Sequence, residues 1–436
     1  MRKLSKVFLL SLLIMALLAI PAMAYVSDRY DFGHVDFGGA TVTVVGWWDP
    51  LEQFYEGGDY AGRIEEAKKL FNIGDIQFLQ VPWGPEGQDI YMSRFLAGDS
   101  DYDLWMLPHV TYFPMWAAGA IYPVSDVITD NYYDNMPYQH QKMAEILGVD
   151  GKKYTFSVFN GINNNTVFLA FNKTLLEREG LPDPYELFEN NQWNWETMTE
   201  IAVRATRDTD GDGRVDQWGM TVPNGDDWIH ANGGALVRSV NGKVTFTGDD
   251  PAVVNALRQM RIWEHELKVM GGSWEKREFF NGRIAFANMP TWQIGQLKES
   301  MEDAYGVVPL PIGPDATDYH YPSDNVDSLY IPANAADPKA LIALDNFLWR
   351  VEEFEQGQQE GFLNQAPDRI AYSILQKGVR NWTGEATYFA WVIGTYYQSI
   401  YGEAYNAIMS GEKTPAAAMA EIKPQAQAML DDALGQ

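Results

Sequence analysis

The sequence predicts an α/β protein of two lobes, each a mixed, mostly parallel sheet flanked by helices. Three observations lead there. Strand and helix patterns alternate through the first third of the chain. About 410 residues follow an N-terminal leader, more than one hydrophobic core usually serves. Short breaks rich in Asn, Pro or Gly divide two α/β units that the chain visits more than once.

The first strand is ATVTVVG, Ala40 to Gly46, whose β-branched residues suit a pleated surface. Tyr60 to Phe71 follows with helical apolar spacing. IQFLQV then reads as a strand, YMSRFLAG as a helix and YDLWML as a buried strand. That β-α-β-α-β order is the signature of a sheet with helices on its faces. YTFSVFN and TVFLAFNK read as two strand patterns separated by the polar GINNN, which places a crossing between domains there. The second unit is predicted from a helix near Lys173 to Glu179, the helix NWETMTEIAVRAT, the strand-rich KVTFTG, a helix over Pro251 to Leu267 and the run RIAFANMPTWQIGQL. YGVVPLPIGPD followed by SDNVDSLYIPANAAD marks a second crossing. The rest is helical, amphipathic through PKALIALDNFLWRVEEFEQG and PAAAMAEIKPQAQAMLDDAL.

The leader places the protein outside the cytoplasm. Arg2, Lys3 and Lys6, an apolar run from Val7 to Ile20, and Ala22-Met23-Ala24 form the charged, apolar and small-x-small parts of a secretory signal peptide. The apolar run is shorter than the roughly 20 residues a bilayer crossing needs. With no cysteine there is no disulfide, catalytic thiol or lipid-bearing thiol, so the mature chain is expected to be soluble in a periplasm or similar enclosed space. Of 32 basic residues three lie in the leader, against 59 acidic ones, so the chain beyond it carries a formal charge of −30. Such a field disfavours nucleic acid and other polyanions. No G-x-S-x-G, H-E-x-x-H, G-x-x-x-x-G-K-[ST] or G-x-G-x-x-G motif occurs, which leaves esterase, zinc-protease and nucleotide readings without support.

Position selects candidate binding residues. Trp47, Trp48 and Asp49 follow the first strand, at the edge where open α/β sheets bind ligands, and His109, Thr111 and Tyr112 follow the DLWML strand in the same way. Asn163 and Asn165 lie at the first crossing, where an amide can both donate to and accept from a hydroxyl, although turn chemistry also favours Asn. Asn325 and Asp327 could supply polar contacts from the second crossing. Aromatic residues are 14% of the chain and include 15 Trp, a composition that suits stacking on the C–H face of a sugar. Separately, DTDGDGRVDQWG, Asp208 to Gly219, matches most of a twelve-residue calcium loop. Asp208, Asp210 and Asp212 would offer side-chain oxygens, Arg214 its carbonyl, and Asp216 a direct or water-mediated contact. Gln217 would substitute for the Glu missing at position 12, which is Gly219. Lying between a helix and a strand, the loop is expected to be a structural calcium staple, not a sensor.

The motifs together resemble the bacterial extracellular solute-binding proteins of carbohydrate ABC transporters, the maltose-binding protein type. They run in order from ATVTVVGWWDP and RFLAGDSDYDLWMLPH through LAFNKTLLEREGLPDP, WNWETMTEIA and FNGRIAFANMPTW to YGVVPLPIGP and LYIPANAAD. The resemblance implies a two-lobe periplasmic-binding-protein fold (type II) whose lobes close on a neutral sugar or oligosaccharide. After the leader, residues 1–24, it implies lobe 1 over 25–158 and 326–373 and lobe 2 over 159–325 and 374–436. It also implies membrane permease subunits as partners, delivery without turnover, and a monomer. It places Trp292 at a family position where an aromatic stacks on sugar and Trp391 in YFAWVIGTYY at a family ligand region, with core packing the alternative for Trp391; Asp227 and Trp228 in DDWIHANGG are further candidates. Where the best-known members carry charged side chains after the third strand, this chain has HVTYF, a departure that bears on which oligosaccharide is bound. The alternatives are a secreted glycoside hydrolase, which would need two carboxylates about 5 to 9.5 Å apart, and the same fold with a non-sugar ligand.

Overall fold

The computed structural model describes residues 24–149, 151–159, 165–222, 225–240, 243–272, 276–323, 326–383, 392 and 398–435. The leader up to Met23, and the expected site residues Asn163, Asn325 and Trp391, lie outside them.

β1 (Ala24–Val26) and β2 (Asp31–His34) form an antiparallel hairpin. The predicted alternation then appears as β3 (Thr41–Gly46), α1 (Arg63–Leu70), β4 (Asp75–Gln80), α2 (Pro85–Leu96) and β5 (Leu104–Pro108), with β3 parallel to both β4 and β5. α3 (His109–Ala117) leaves β5 without a loop, and α4 (Tyr138–Ile146) precedes the segment that leads to the first crossing.

YTFSVFN is not a strand. Its described part is buried and irregular, because side chains take the carbonyls that a ladder would have used. Tyr133 donates to the Thr155 carbonyl at 2.8 Å, Tyr132 and Arg29 to that of Phe156 at 2.5 and 3.2 Å, and His140 Nε2 lies 2.7 Å from that of Val158. A segment so satisfied meets the demand for buried backbone partners without a neighbouring strand.

The second lobe contains β6 (Val167–Asn172), α5 (Trp195–Ala205), β7 (Trp218–Thr221), α6 (Gly225–Ala231), the hairpin of β8 (Val237–Val240) and β9 (Lys243–Phe246), and α7 (Pro251–Arg261). β10 (Met270–Gly271), β11 (Ile284–Pro290), α8 (Thr291–Ser300) and β12 (Tyr305–Val308) complete it. Its sheet runs β10-β7-β11-β6-β12, with the first three strands parallel and β6 antiparallel to both of its neighbours. α5 starts with a reciprocal cap: Asn194 accepts from the Thr197 amide, and Thr197 Oγ1 accepts from the Asn194 amide. KVTFTG, expected among the strands of the unit, pairs among the described residues only with β8 and lies against the C-terminal helix, where Gln427 bonds Phe246 and Val244.

β13 (Asp327–Tyr330) returns to the first sheet, antiparallel to β5, giving the order β13-β5-β3-β4. The two crossing segments run side by side, bridged between Thr166 and Ser323. α9 (Pro338–Leu348) packs on the first lobe, and α10 (Val351–Gln365) starts there, where Glu353 meets Arg63 at 2.6 Å. α10 ends at the second lobe, where Asn364 and Gln365 accept from Lys298 and Tyr305. α11 (Arg369–Arg380) and α12 (Pro415–Leu434) follow. One apolar cluster includes residues of both lobes, Trp105 and Tyr112 with Phe168 and Tyr321, while a second belongs to the first lobe and α9.

Candidate ligand-binding site

The ends of the strands decide what the two lobes present to each other. Asp327, first in β13, stands opposite Pro108, last in β5; Val167, first in β6, stands opposite Pro290, last in β11. The C-terminal strand edges of both sheets therefore border the crossing segments, the place where open α/β sheets leave a crevice.

On the first lobe this edge gathers Trp47, Trp48, Asp49, His109 and Asp327. Trp47 and Trp48 are half-buried with ring centroids 6.2 Å apart, and Trp48 Nε1 lies 3.5 Å from Asp327 Oδ2. Phe159, at the mouth of the first crossing, joins Trp48 at 5.4 Å to Trp349 at 5.2 Å, so an aromatic row runs along the edge. Beneath it, burial first and the nearby Asp327 second push the Tyr330 phenol well above its ordinary range. Asp49 is turned into its own loop, accepting from the Leu51 amide at 2.8 Å and the Tyr55 hydroxyl at 2.9 Å. His109 starts α3 and is half-buried.

Thr111 and Tyr112 are a correction. Both are buried, Tyr112 completely; its ring stacks on Tyr330 at 4.9 Å and its hydroxyl donates to the Leu147 carbonyl. Because α3 begins immediately after β5, its first turn already carries Thr111 and Tyr112 into the core.

On the second lobe the edge carries Asn165, Asp227 and Trp292. Trp292, second residue of α8, is 40% exposed, unusual for a side chain that normally buries most of its area. Asp227 is buried and accepts from Asn288 at 2.9 Å, and Asn165 is 8% exposed. Trp228 is a second correction. It is fully buried, 4.9 Å from Trp263 and 6.3 Å from Trp195, and belongs to the core of the lobe. Neighbouring residues of one helix, Asp227 and Trp228, face different surroundings.

Sequence reasoning missed Phe159, Trp349 and the cavity they help line. Its volume is about 260 Å³, and Tyr60, Arg63, Glu353 and Gln358 also line it. Arg63 pairs with Glu353 at 2.6 Å, and its guanidinium lies over the Tyr60 ring at 4.4 Å. Trp349 Nε1 and Gln358 Nε2 are buried donors without an acceptor among the described residues. The aromatic content was the signal available, but Phe159 and Trp349 stand far apart in the chain, and no local pattern connects them.

The acidic loop lies on the second lobe, on the surface. Oxygens of Asp208, Asp210 and Asp212 lie within 4.8 Å of one another, and all three residues are exposed. Backbone amides already point at them: Gly211 and Gly213 donate to Asp208, Asp212 to Asp210, and Arg214 to Asp212. These amides hold the Asp208 carboxyl below its ordinary value, led by that of Gly213. Asp216 accepts from the amide and hydroxyl of Thr209, and those bonds lower its pKa too. The three close carboxylates fit a calcium ion, but Gln217 does not complete the set. It is buried, donating to Ala205 and accepting from Arg178, away from the loop. Gly219 cannot be the usual Glu because a Cβ there would lie 2.3 Å from the Ala202 carbonyl, where α5 presses on β7.

A family model of bacterial extracellular solute-binding proteins matches residues 58–352. The chain belongs to that family. Among curated proteins, none matches it in sequence. An ABC substrate-binding protein of Listeria monocytogenes in complex with cycloalternan superposes with a TM-score of 0.66 at 16% identity, covering 90% of this chain and 99% of that one. The maltose/maltodextrin-binding domain of Bdellovibrio bacteriovorus bound to maltotriose gives 0.64 at 16%, covering 89% and 99%. The acarbose-binding GacH receptor of Streptomyces glaucescens gives 0.64 at 18%, covering 90% and 99%. At such identities the likeness establishes the two-lobe fold of this extracellular solute-binding protein. No helix among the described residues is long and apolar enough to cross a membrane.

Proposed function

We propose that this extracellular solute-binding protein captures a neutral sugar or oligosaccharide between its lobes and delivers it, unchanged, to the permease subunits of an ABC transporter. The observation that carries the reading is the exposed Trp292 on one strand edge and the aromatic row Trp48, Phe159 and Trp349 on the other. Aromatic faces pack against the C–H faces of a sugar ring, while the buried donors of Trp349 and Gln358 offer its hydroxyls partners. The sugar complexes of the structural relatives support the same class of ligand. The N-terminal leader supports secretion to a periplasm, with Ala24 near the start of the mature chain. We assign the loop Asp208 to Asp216 to calcium, as a staple that would relieve repulsion among three close carboxylates.

A thermal-shift screen over neutral mono- and oligosaccharides tests the reading. A specific ligand at a hundred times its Kd should stabilise the fold by about 2.7 kcal/mol. Absence of any shift across the panel, or cleavage of a glycosidic bond in product analysis, would refute it.

A further inference from the structure

A second cavity, of about 450 Å³, shares no described lining residue with the first and differs from it in charge. Tyr138 and Lys142 of α4 line it from the first lobe, and His320, Arg380 and Asn381 from the second. No carboxylate is among its described lining residues, in a chain with 59 acidic and 32 basic ones. The other described cavities are lined by acids, one by Asp59 and Glu353, another by Asp28, Glu352 and Glu353. We propose that this cavity is a binding site for a phosphate-type oxyanion, free or carried on a small organic molecule.

Four features support that chemistry. Arg380, in the last turn of α11, is exposed and makes no ion pair or side-chain hydrogen bond among the described residues, so its fork of donors is available. Among the described residues Lys142 is held only by Glu145, at 3.4 Å on the solvent-exposed face of α4, a contact weak enough to be given up. Tyr138 is the first residue of the nine-residue α4, so the positive end of that helix borders the cavity. The opposing negative end of α11 is blunted, since the Asn381 side chain caps the Lys377 carbonyl at 2.7 Å. The net charge of the protein repels anions in bulk, so only such a local concentration of donors could hold one. The volume exceeds what a bare phosphate fills, which leaves room for an organic group on the same anion.

Both lobes contribute, and the site adjoins both crossings: α4 contacts Val158 through His140, and His320 is three residues from Ser323. A bound oxyanion would therefore favour the lobe arrangement that brings α4 and Arg380 together, and closure and anion binding would be linked.

Calorimetric titration of the whole protein with inorganic phosphate and, separately, glucose 6-phosphate, at fixed ionic strength set with chloride, tests the assignment. Saturable binding of either probe is expected, weakened roughly tenfold or more by Arg380→Gln and less by Lys142→Gln. Lys153→Gln, a basic residue outside the cavity, should leave it unchanged, and so should Trp292→Ala, which separates this site from the sugar site. Binding of phosphate itself supports the free anion; binding of the sugar phosphate alone supports the organic one. Failure of both probes to saturate, or equal affinity in Arg380→Gln with an unchanged melting curve, would overturn the proposal.

Discussion

Replacing Asp345 with Asn should change how the stability of this protein depends on pH. Asp345 is fully buried in α9, 3.9 Å from Arg29, and accepts from the Ser157 hydroxyl. Burial pushes its carboxyl from 3.8 up to about 7, with Arg29 pulling the other way. Because the fold holds this proton more tightly than the unfolded chain, its contribution to stability is complete below 3.8 and is lost as the pH rises through about 7. Nearby His140 works in the opposite sense. Burial lowers it from 6.5 to about 4, so its contribution is present above 6.5 and is lost as the pH falls through about 4. Each slope is about 1.4 kcal/mol per pH unit where the group is protonated in only one of the two states. Between pH 4 and 6.5 the two nearly cancel in the wild type, and Asp345→Asn leaves the His140 slope alone. The variant should therefore gain about 3 kcal/mol relative to wild type across that interval. It should still fold, because Arg29 keeps its bonds to Tyr132, Phe156 and Trp349. Urea unfolding of both proteins from pH 4 to 8 measures the difference. A flat difference curve would mean that Asp345 stays ionised in the fold, and the reasoning would fail.

Trp292→Ala should weaken the sugar found by the screen by about 1 to 4 kcal/mol in titration calorimetry, on the scale of aromatic hot spots, with little change in melting because the side chain is 40% exposed. Tyr112→Phe should do the reverse, costing about 0.5 to 1.5 kcal/mol of stability through the lost bond to Leu147 while sugar affinity stays the same. Millimolar calcium should raise the melting temperature above that in chelator without changing sugar affinity; coincident curves would leave Asp208 to Asp216 a turn held by its own amides. Small-angle scattering should give a smaller radius of gyration with sugar bound, and an unchanged profile at saturation would argue against closure.

The strands and their order were legible because each carries its own signal. ATVTVVG and TVFLAFNK are runs that suit a pleated sheet wherever they pair, and β3 and β6 follow them closely. The apolar spacing of α5 is likewise written within one helix. YTFSVFN has the same local signal and forms no strand, because Arg29, Tyr132, Tyr133 and His140 claim its carbonyls from elsewhere in the chain. Local pattern states what a segment could pair with; it does not state what reaches it first.

The same limit governs the site. Trp228 is the fourth residue of α6 and Trp292 the second of α8, each on a helix that follows a strand, and the local pattern does not state which of them is buried. The distinction comes from Trp195 and Trp263, which enclose Trp228 from α5 and the turn after α7, whereas among the described residues no comparable pair covers Trp292. Phe159 and Trp349 stand far apart in the chain, and Arg29 ties their segments together by bonding the carbonyls of both Phe156 and Trp349, at the first crossing and just before α10. One buried cation thus aligns the backbone beneath the aromatic row. A substitution at Arg29 should consequently disturb the aromatic row as well as the core, even though Arg29 itself is buried.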